Sequence, residues 1–331
     1  MDRRSNVGIK KAEKVLCMVL AMAMAMVITI NVSAGESISK AKIDEYLYTI
    51  AYSQQEQVKE PIYGSIDGEW NIIGLARYGA VTKDYISKYK ENLLKEVKAK
   101  DGVLSTRKYT EYSRVVIALA SIDENPTNFG GYNLLKPLAE FDNVNKQGIN
   151  GSIYALIAIH SSNYKIPKPD KNYTGEVTTV KKLIEYIIKN QNSDGGWSMA
   201  DKSECDITAM AVQALSFYYT GSDKSVKKSV DKALKFLSRQ QNNDGGYSAE
   251  GISNCESTAQ VLMAISALNI NIEDSRFVKN GNTVLNGLLD YYSNGKFSHT
   301  KNGGYNHMAT EQGFCALTSY YRSLTIMNGF Y

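Results

Sequence analysis

From Ile43 onward, apolar positions recur at three- and four-residue spacing, and Gly- and Asn-rich turns separate the segments. That periodicity predicts helix after helix. The first helices of successive pairs are predicted over 40–52, 83–98, 132–141, 176–190, 225–240 and 282–292. Their partners are predicted over 69–78, 112–122, 149–160, 206–219, 256–268 and 308–324. The two sets differ in character. The 225–240 stretch sets Lys227, Lys228, Lys232 and Lys235 against Val226, Val230, Ala233, Leu234 and Leu237. The 207–219 stretch is apolar nearly all round, as a helix buried on most sides must be. Six alternations of a polar-backed helix with a buried one predict an all-α (α/α)6 toroid, an inner ring wrapped by an outer ring. Six pairs can close on themselves, so no capping repeat is needed; an open solenoid is the structural alternative.

The pattern also repeats in detail. Gln191–Ser198 reads QNSDGGWS and Gln241–Ser248 reads QNNDGGYS, fifty residues apart, and each joins an amphipathic run to an apolar one. Val180, Leu183, Ile184 and Ile187 correspond to Val230, Ala233, Leu234 and Leu237, and 203–209 corresponds to 253–259. A fixed period of this kind marks a repeat architecture. Gly195-Gly196 and Gly245-Gly246 permit the positive φ that ends a helix and reverses the chain. Trp197 and Tyr247 are then expected to pack over the turn, and Gln191 and Gln241 to bond exposed helix-end groups. Stacking on a sugar is the functional alternative for the two aromatics.

These hinges resemble the glutamine–aromatic repeats of squalene and oxidosqualene cyclases, whose toroid is shared by protein prenyltransferase β-subunits and by the α-domain of transcobalamin and intrinsic factor. The whole chain also resembles exported bacterial proteins that carry such repeats. The likeness is strong through DGGW, DGGY, GGYNHMATEQ and two Thr-Ala helix starts. It thins in the first three pairs, where only Glu69-Trp70 and the 148–151 stretch echo it. The resemblance implies a toroid fold. It does not by itself imply a reaction, because one fold serves cyclases, transferases and vitamin carriers.

Composition adds a compartment. Arg3, Arg4, Lys10, Lys11 and Lys14 precede an apolar run over 15–30, and Val32-Ser33-Ala34 offers small residues for cleavage. Residues 1–34 are read as a secretory signal peptide and 35–331 as one toroid domain, secreted or surface-associated. Without the five basic and two acidic residues of that leader, 38 basic and 34 acidic side chains fall to 33 and 32. So even a balance predicts neither nucleic acid nor acidic lipid as partner. Cys205, Cys255 and Cys315 remain, too few for a disulfide scaffold.

Candidate chemistry gathers about ten residues after each hinge. Asp206 stands where a terpene cyclase would carry its acidic cluster, but lacks the adjacent carboxylates, and no Asp-Asp-x-x-Asp for diphosphate ionisation occurs. Three residues before Thr208, Thr258 and Thr310 stand Cys205, Cys255 and His307, a column that suits zinc with Asp206 or Glu256 as a further ligand. A Cys205–Cys255 disulfide and plain buried thiols are the alternatives. Ser203 with Asp206, and Ser253 with Glu256, fit capping boxes; two of Asp206, Glu256 and Glu311 as acid and base for a polysaccharide is the catalytic alternative. His160, ending the third inner helix, reads as helix-end packing. The expected lining of the mouth is Glu69, Trp70, Asp206, Glu256, Tyr305, His307 and Glu311. The expected function is a secreted binding protein, a monomer, for a small molecule, glycan or surface protein and without a required cofactor. A degenerate cyclase or prenyltransferase, or a carbohydrate-active enzyme, is the alternative.

Overall fold

The computed structural model describes residues 38–325 and 329–331; the predicted leader lies outside the described residues. Twelve α-helices follow one another among the described residues. The outer set is α1 (Lys40–Gln57), α3 (Lys83–Ala99), α5 (Phe141–Val144), α7 (Val180–Lys189), α9 (Lys224–Gln240) and α11 (Val284–Leu289). The inner set is α2 (Trp70–Tyr78), α4 (Thr110–Ser121), α6 (Ile149–His160), α8 (Cys205–Ser216), α10 (Cys255–Ala267) and α12 (His307–Ser323). Each inner helix packs on the next, and α12 returns to both α1 and α2, so the ring closes. Closure removes the open-solenoid alternative, because no inner helix is left with an uncovered end face.

The burial pattern follows the sequence contrast between the two sets. Twelve of the thirteen residues of α10 are buried, whereas α9 buries only one face, through Val226, Val230, Ala233, Leu234 and Leu237. Two outer helices are shorter than their periodicity suggests. The 132–141 stretch forms one 3-10 turn, Lys136–Ala139 around Pro137, before the single turn of α5. Proline removes a backbone donor and disfavours a helical residue before it. In α11, Gly287 lies against the second hinge so closely that a Cβ there would meet Gly246 N at 2.3 Å. Two-residue strands β3 (Val278–Lys279), β4 (Asn282–Thr283), β5 (Tyr292–Ser293) and β6 (Lys296–Phe297) flank that short helix. A further hairpin, β1 (Tyr247–Ala249) with β2 (Ile252–Asn254), rises from the second hinge.

The hinges are structural. Trp197 and Tyr247 are both 0% exposed, which removes the sugar-stacking alternative. Trp197 N–H donates to Thr208 Oγ1 at 2.9 Å, and its indole N–H to the Ile187 carbonyl at 2.7 Å. Gln191 Nε2 bonds the carbonyls of Gly195 and Ser229, and Gln241 Nε2 those of Gly245 and Phe277. Each glutamine therefore ties its own turn to the next outer segment. Gly245 has φ of 86°, and a Cβ there would stand 2.1 Å from the Thr283 carbonyl oxygen, so only glycine fits.

Candidate functional site

Every hinge delivers the chain to the N-terminus of an inner helix, so these first turns gather at one end of the ring. Between them lies a cavity of about 310 Å³. Asp206 from α8, Glu256 from α10 and His299 from the loop before α12 stand at its polar side. Trp70, Tyr154, Met210, Met263 and Met308 form apolar walls, with Gln260, Gln312 and Tyr331 deeper.

The two carboxylates are not capping groups. The N-cap of α8 is Glu204, and Ser203 Oγ turns back to donate to Asp194 Oδ1 in the hinge at 2.7 Å. Asn254 caps α10 through Ser257 N–H, while Ser253 Oγ joins Asn242 and Ser248. Both serines are drawn into the hinge network, so the capping-box reading of Asp206 and Glu256 fails and the carboxylates are free to face the cavity. Asp206 Oδ1 accepts only from the adjoining Ile207 N–H, at 2.9 Å. Glu256 is 8% exposed; its Oε2 meets His299 Nδ1 at 2.8 Å, and its Oε1 is enclosed without a partner among the described residues. The His299 carbonyl accepts from Cys255 N–H at 3.0 Å, which holds the imidazole loop beside α10. On the facing wall, the Trp70 and Tyr154 rings sit 5.9 Å apart, tilted at 57°.

A second cluster adjoins this cavity where the first and last pairs meet. Glu69 is 0% exposed: Arg114 Nε donates to it at 2.8 Å, Tyr89 Oη at 3.2 Å, and Gly64 N–H to both oxygens. Glu69 thus knits α2, α3 and α4 together. It belongs to the packing rather than to the lining expected of it. Glu311, 1% exposed, accepts from Asp67 N–H at 2.7 Å. Burial pushes its carboxyl up to about 8, with the neighbouring Asp67 and Glu69 charges adding to the rise. His307 Nδ1 meets Asp67 Oδ1 at 2.6 Å, and Tyr305 packs against His307 with ring centres 4.6 Å apart and planes tilted by 43°.

Of the expected lining, Trp70, Asp206 and Glu256 come together in the cavity, while Tyr305, His307 and Glu311 form the adjoining cluster. The Cys205, Cys255, His307 column does not converge. His307 turns to Asp67, all three described cysteines are buried as free thiols, and no group of three or more His, Cys, Asp or Glu side chains among the described residues could hold a metal ion. Burial pushes the Cys205 thiol up to about 12 and Cys255 well above its ordinary value, the opposite of what a thiolate ligand needs. Among the described residues these side chains form neither a metal-ligand cluster nor a disulfide. His160 stacks on Phe217 at 4.5 Å, as a helix-end residue should.

Sequence reasoning misses His299, Tyr154, Gln260 and Gln312. The glutamines carried a signal. Gln260 lies four residues after Glu256 and Gln312 four after Met308, each one turn deeper on the face its helix turns to the cavity. His299 carried none, because its place beside Glu256 depends on how the last loop folds back.

Comparison with known proteins supports the architecture. Residues 97–309 match the model of the prenyltransferase alpha-alpha toroid domain. No curated protein matches the chain. Among solved structures, the chain is similar to variants of the unsaturated glucuronyl hydrolase of Streptococcus agalactiae. One has a TM-score of 0.58 at 11% identity, covering 90% of this chain and 94% of the other. A second has a TM-score of 0.57 at 11% identity, covering 90% and 95%. At that identity the likeness is one of fold. Among the described residues, no helix is long and apolar enough to cross a membrane.

Proposed function

The chain belongs to the prenyltransferase alpha-alpha toroid family, and from that scaffold we propose a carbohydrate-active enzyme whose central cavity cleaves a glycosidic bond. One observation carries this reading: Asp206 and Glu256 face one cavity from the first turns of neighbouring inner helices, opposite the half-buried Trp70 and Tyr154. A pair of carboxylates flanking the scissile bond is what such a reaction uses, and the two rings offer aromatic surface to a sugar. The likeness to a hydrolase of unsaturated glucuronyl substrates supports the substrate class at the level of fold. Prenyl transfer through a resident zinc finds no converging ligand set among the described residues.

In the proposed reaction, water adds across the bond between the anomeric carbon and the bridging oxygen. Asp206 gives a proton to the departing oxygen, and Glu256, oriented by His299, faces the positive charge that develops on the sugar ring. The carboxylate left at Asp206 takes back a proton from the water that bonds to the anomeric carbon. The apolar walls exclude competing solvent and hold the ring by its face. Export to the cell exterior, where polysaccharides are met, belongs to the same proposal.

The test is release of reducing ends from a panel of soluble polysaccharides. Asp206→Asn and Glu256→Gln are expected to lower turnover by about 10²-fold or more while leaving the glycan bound. Glycan bound by the native chain without turnover supports instead a secreted binding protein on the same cavity. No glycan bound, with a corrinoid or isoprenoid raising the melting temperature, overturns the substrate class.

A further inference from the structure

Three glutamines on successive inner helices form one hydrogen-bonded line. Gln213 on α8 donates through Nε2 to Gln260 Oε1 on α10 at 2.9 Å, and Gln260 donates through Nε2 to Gln312 Oε1 on α12 at 3.0 Å. Tyr331 Oη donates to Gln213 Oε1 at 3.2 Å, closing the far end. An amide can be turned over without changing its shape, so the direction of such a line needs an independent anchor. The fold supplies one. Gln213 Nε2 also donates to the backbone carbonyl of Gln260 at 3.1 Å, and a carbonyl only accepts. Gln213 must therefore present nitrogen to α10. Gln260 then presents oxygen back and nitrogen forward, and Gln312 must receive with its oxygen. The line ends on the Gln312 amide nitrogen, which no described residue engages and whose residue lines the cavity.

Glu256 lies one helical turn before Gln260 on the same face of α10. Among the described residues its Oε1 is enclosed and has no donor, in a residue 8% exposed. An enclosed carboxylate oxygen without a donor is costly, and a ligand that brings one repairs it. The cavity therefore offers a fixed acceptor at Glu256, a fixed donor at Gln312, and thioether and ring surface from Met210, Met263 and Met308 beside them.

We infer that this triad recognises an acetamido group, so that the substrate is a glycan built from N-acetylated amino sugars. The amide N–H donates to Glu256 Oε1, its carbonyl accepts from Gln312 Nε2, and its methyl lies on the methionine wall. A plain hydroxyl fills one or two of these places and leaves the apolar one empty. The assignment rests on the glycan reading above and sharpens it: a carboxylate facing the anomeric carbon also reaches the substituent on the adjacent ring carbon.

Calorimetric titration with three matched β-1,4 oligomers of equal length, of N-acetylglucosamine, glucosamine and glucose, tests it. The acetylated oligomer is expected to bind about tenfold tighter than either of the others, since a site built for a polar group rejects analogues that lack it. Gln312→Glu keeps the shape but replaces the donor with an acceptor, and is expected to bring the three affinities near parity. Equal binding of all three by the native chain overturns the inference and leaves the glycan reading standing. So does a preference that survives in the variant. If none of the three binds, the inference falls, and the polysaccharide panel decides the glycan reading. The comparison on the native chain needs no variant to fold.

Discussion

The backbone N–H of Asp67 donates to Glu311 Oε1 at 2.7 Å, joining residues 244 positions apart and fastening the loop before α2 onto α12. Burial and the nearby carboxylates raise Glu311 from its ordinary 4.5 to about 8. Between these values the folded chain holds a proton that the unfolded chain has lost, so stability falls as pH rises through that window and levels off above it. Glu311→Gln keeps an acceptor for Asp67 and removes the titration. Melting curves of the two proteins should therefore diverge from pH 5 toward pH 8, the variant ending a few degrees higher, since about 1 kcal/mol moves a domain of this size by about 2 °C. Parallel curves across that range would mean that Glu311 is ionised throughout.

One bond recurs at three hinges. The N–H groups of Trp197, Tyr247 and Phe297 each donate to a threonine hydroxyl, Thr208, Thr258 and Thr310, at 2.9, 3.0 and 2.9 Å. All three aromatics and all three threonines are buried, so water cannot replace the acceptor. Thr258→Val keeps the volume and strands the Tyr247 N–H, a loss of about 1–3 kcal/mol. Thr258→Ser keeps the hydroxyl and loses only a methyl, about 1 kcal/mol. Urea unfolding midpoints rank the two. A valine variant as stable as the serine one would show that the hinge is held by its aromatic packing alone.

The fold was legible because closure of the ring is written into periodic features. Helical spacing, the fifty-residue repeat and the contrast between α9 and α10 each point to the same architecture. The failures lie where non-local partners override a local pattern. Ser203 and Ser253 fit capping boxes within their own turns, but the hinge residues Asp194 and Asn242 compete for the same hydroxyls and win. The site was legible only in part for a related reason. Repeat alignment places Asp206 and Glu256 at equivalent positions, whereas Glu69 and Glu311 look alike in sequence and differ because Arg114 reaches only the first. Spacing along the chain cannot say which carboxylate a residue 45 positions away will neutralise.

That arginine makes Glu69 testable as a packing residue. The pair is enclosed, with Arg114 13% and Glu69 0% exposed at the side chain. Removing one partner from such a pair leaves an uncompensated buried charge, which costs about 3–5 kcal/mol. Arg114→Met should therefore destabilise strongly, and adding Glu69→Gln to it should recover part of the loss, because the stranded charge is gone. If Glu69 instead acted on a ligand, Glu69→Gln alone would abolish binding at unchanged stability. Calorimetric unfolding with ligand titration separates the two roles.

The buried thiols supply the last expectation. Cys255 is 0% exposed and its Sγ donates to the Ala309 carbonyl at 3.6 Å, while Cys315 donates to the Trp70 carbonyl at 3.6 Å. Each thiol is thus engaged as a protonated donor inside the inner ring. Burial raises both above the ordinary thiol range, and raises Cys205 to about 12. The thiolate is the form that attacks a disulfide reagent and the form that binds zinc. At pH 8 the folded chain should therefore react with an aromatic disulfide orders of magnitude more slowly than the chain in denaturant, where all three thiols become available. Elemental analysis after dialysis against micromolar zinc should find well below about 0.1 equivalent bound. Fast labelling of Cys255 in the folded state would contradict its enclosure. Stoichiometric zinc that Cys255→Ala and His307→Ala each abolish would mean that these side chains rearrange around the metal, and would restore the column that the sequence suggests.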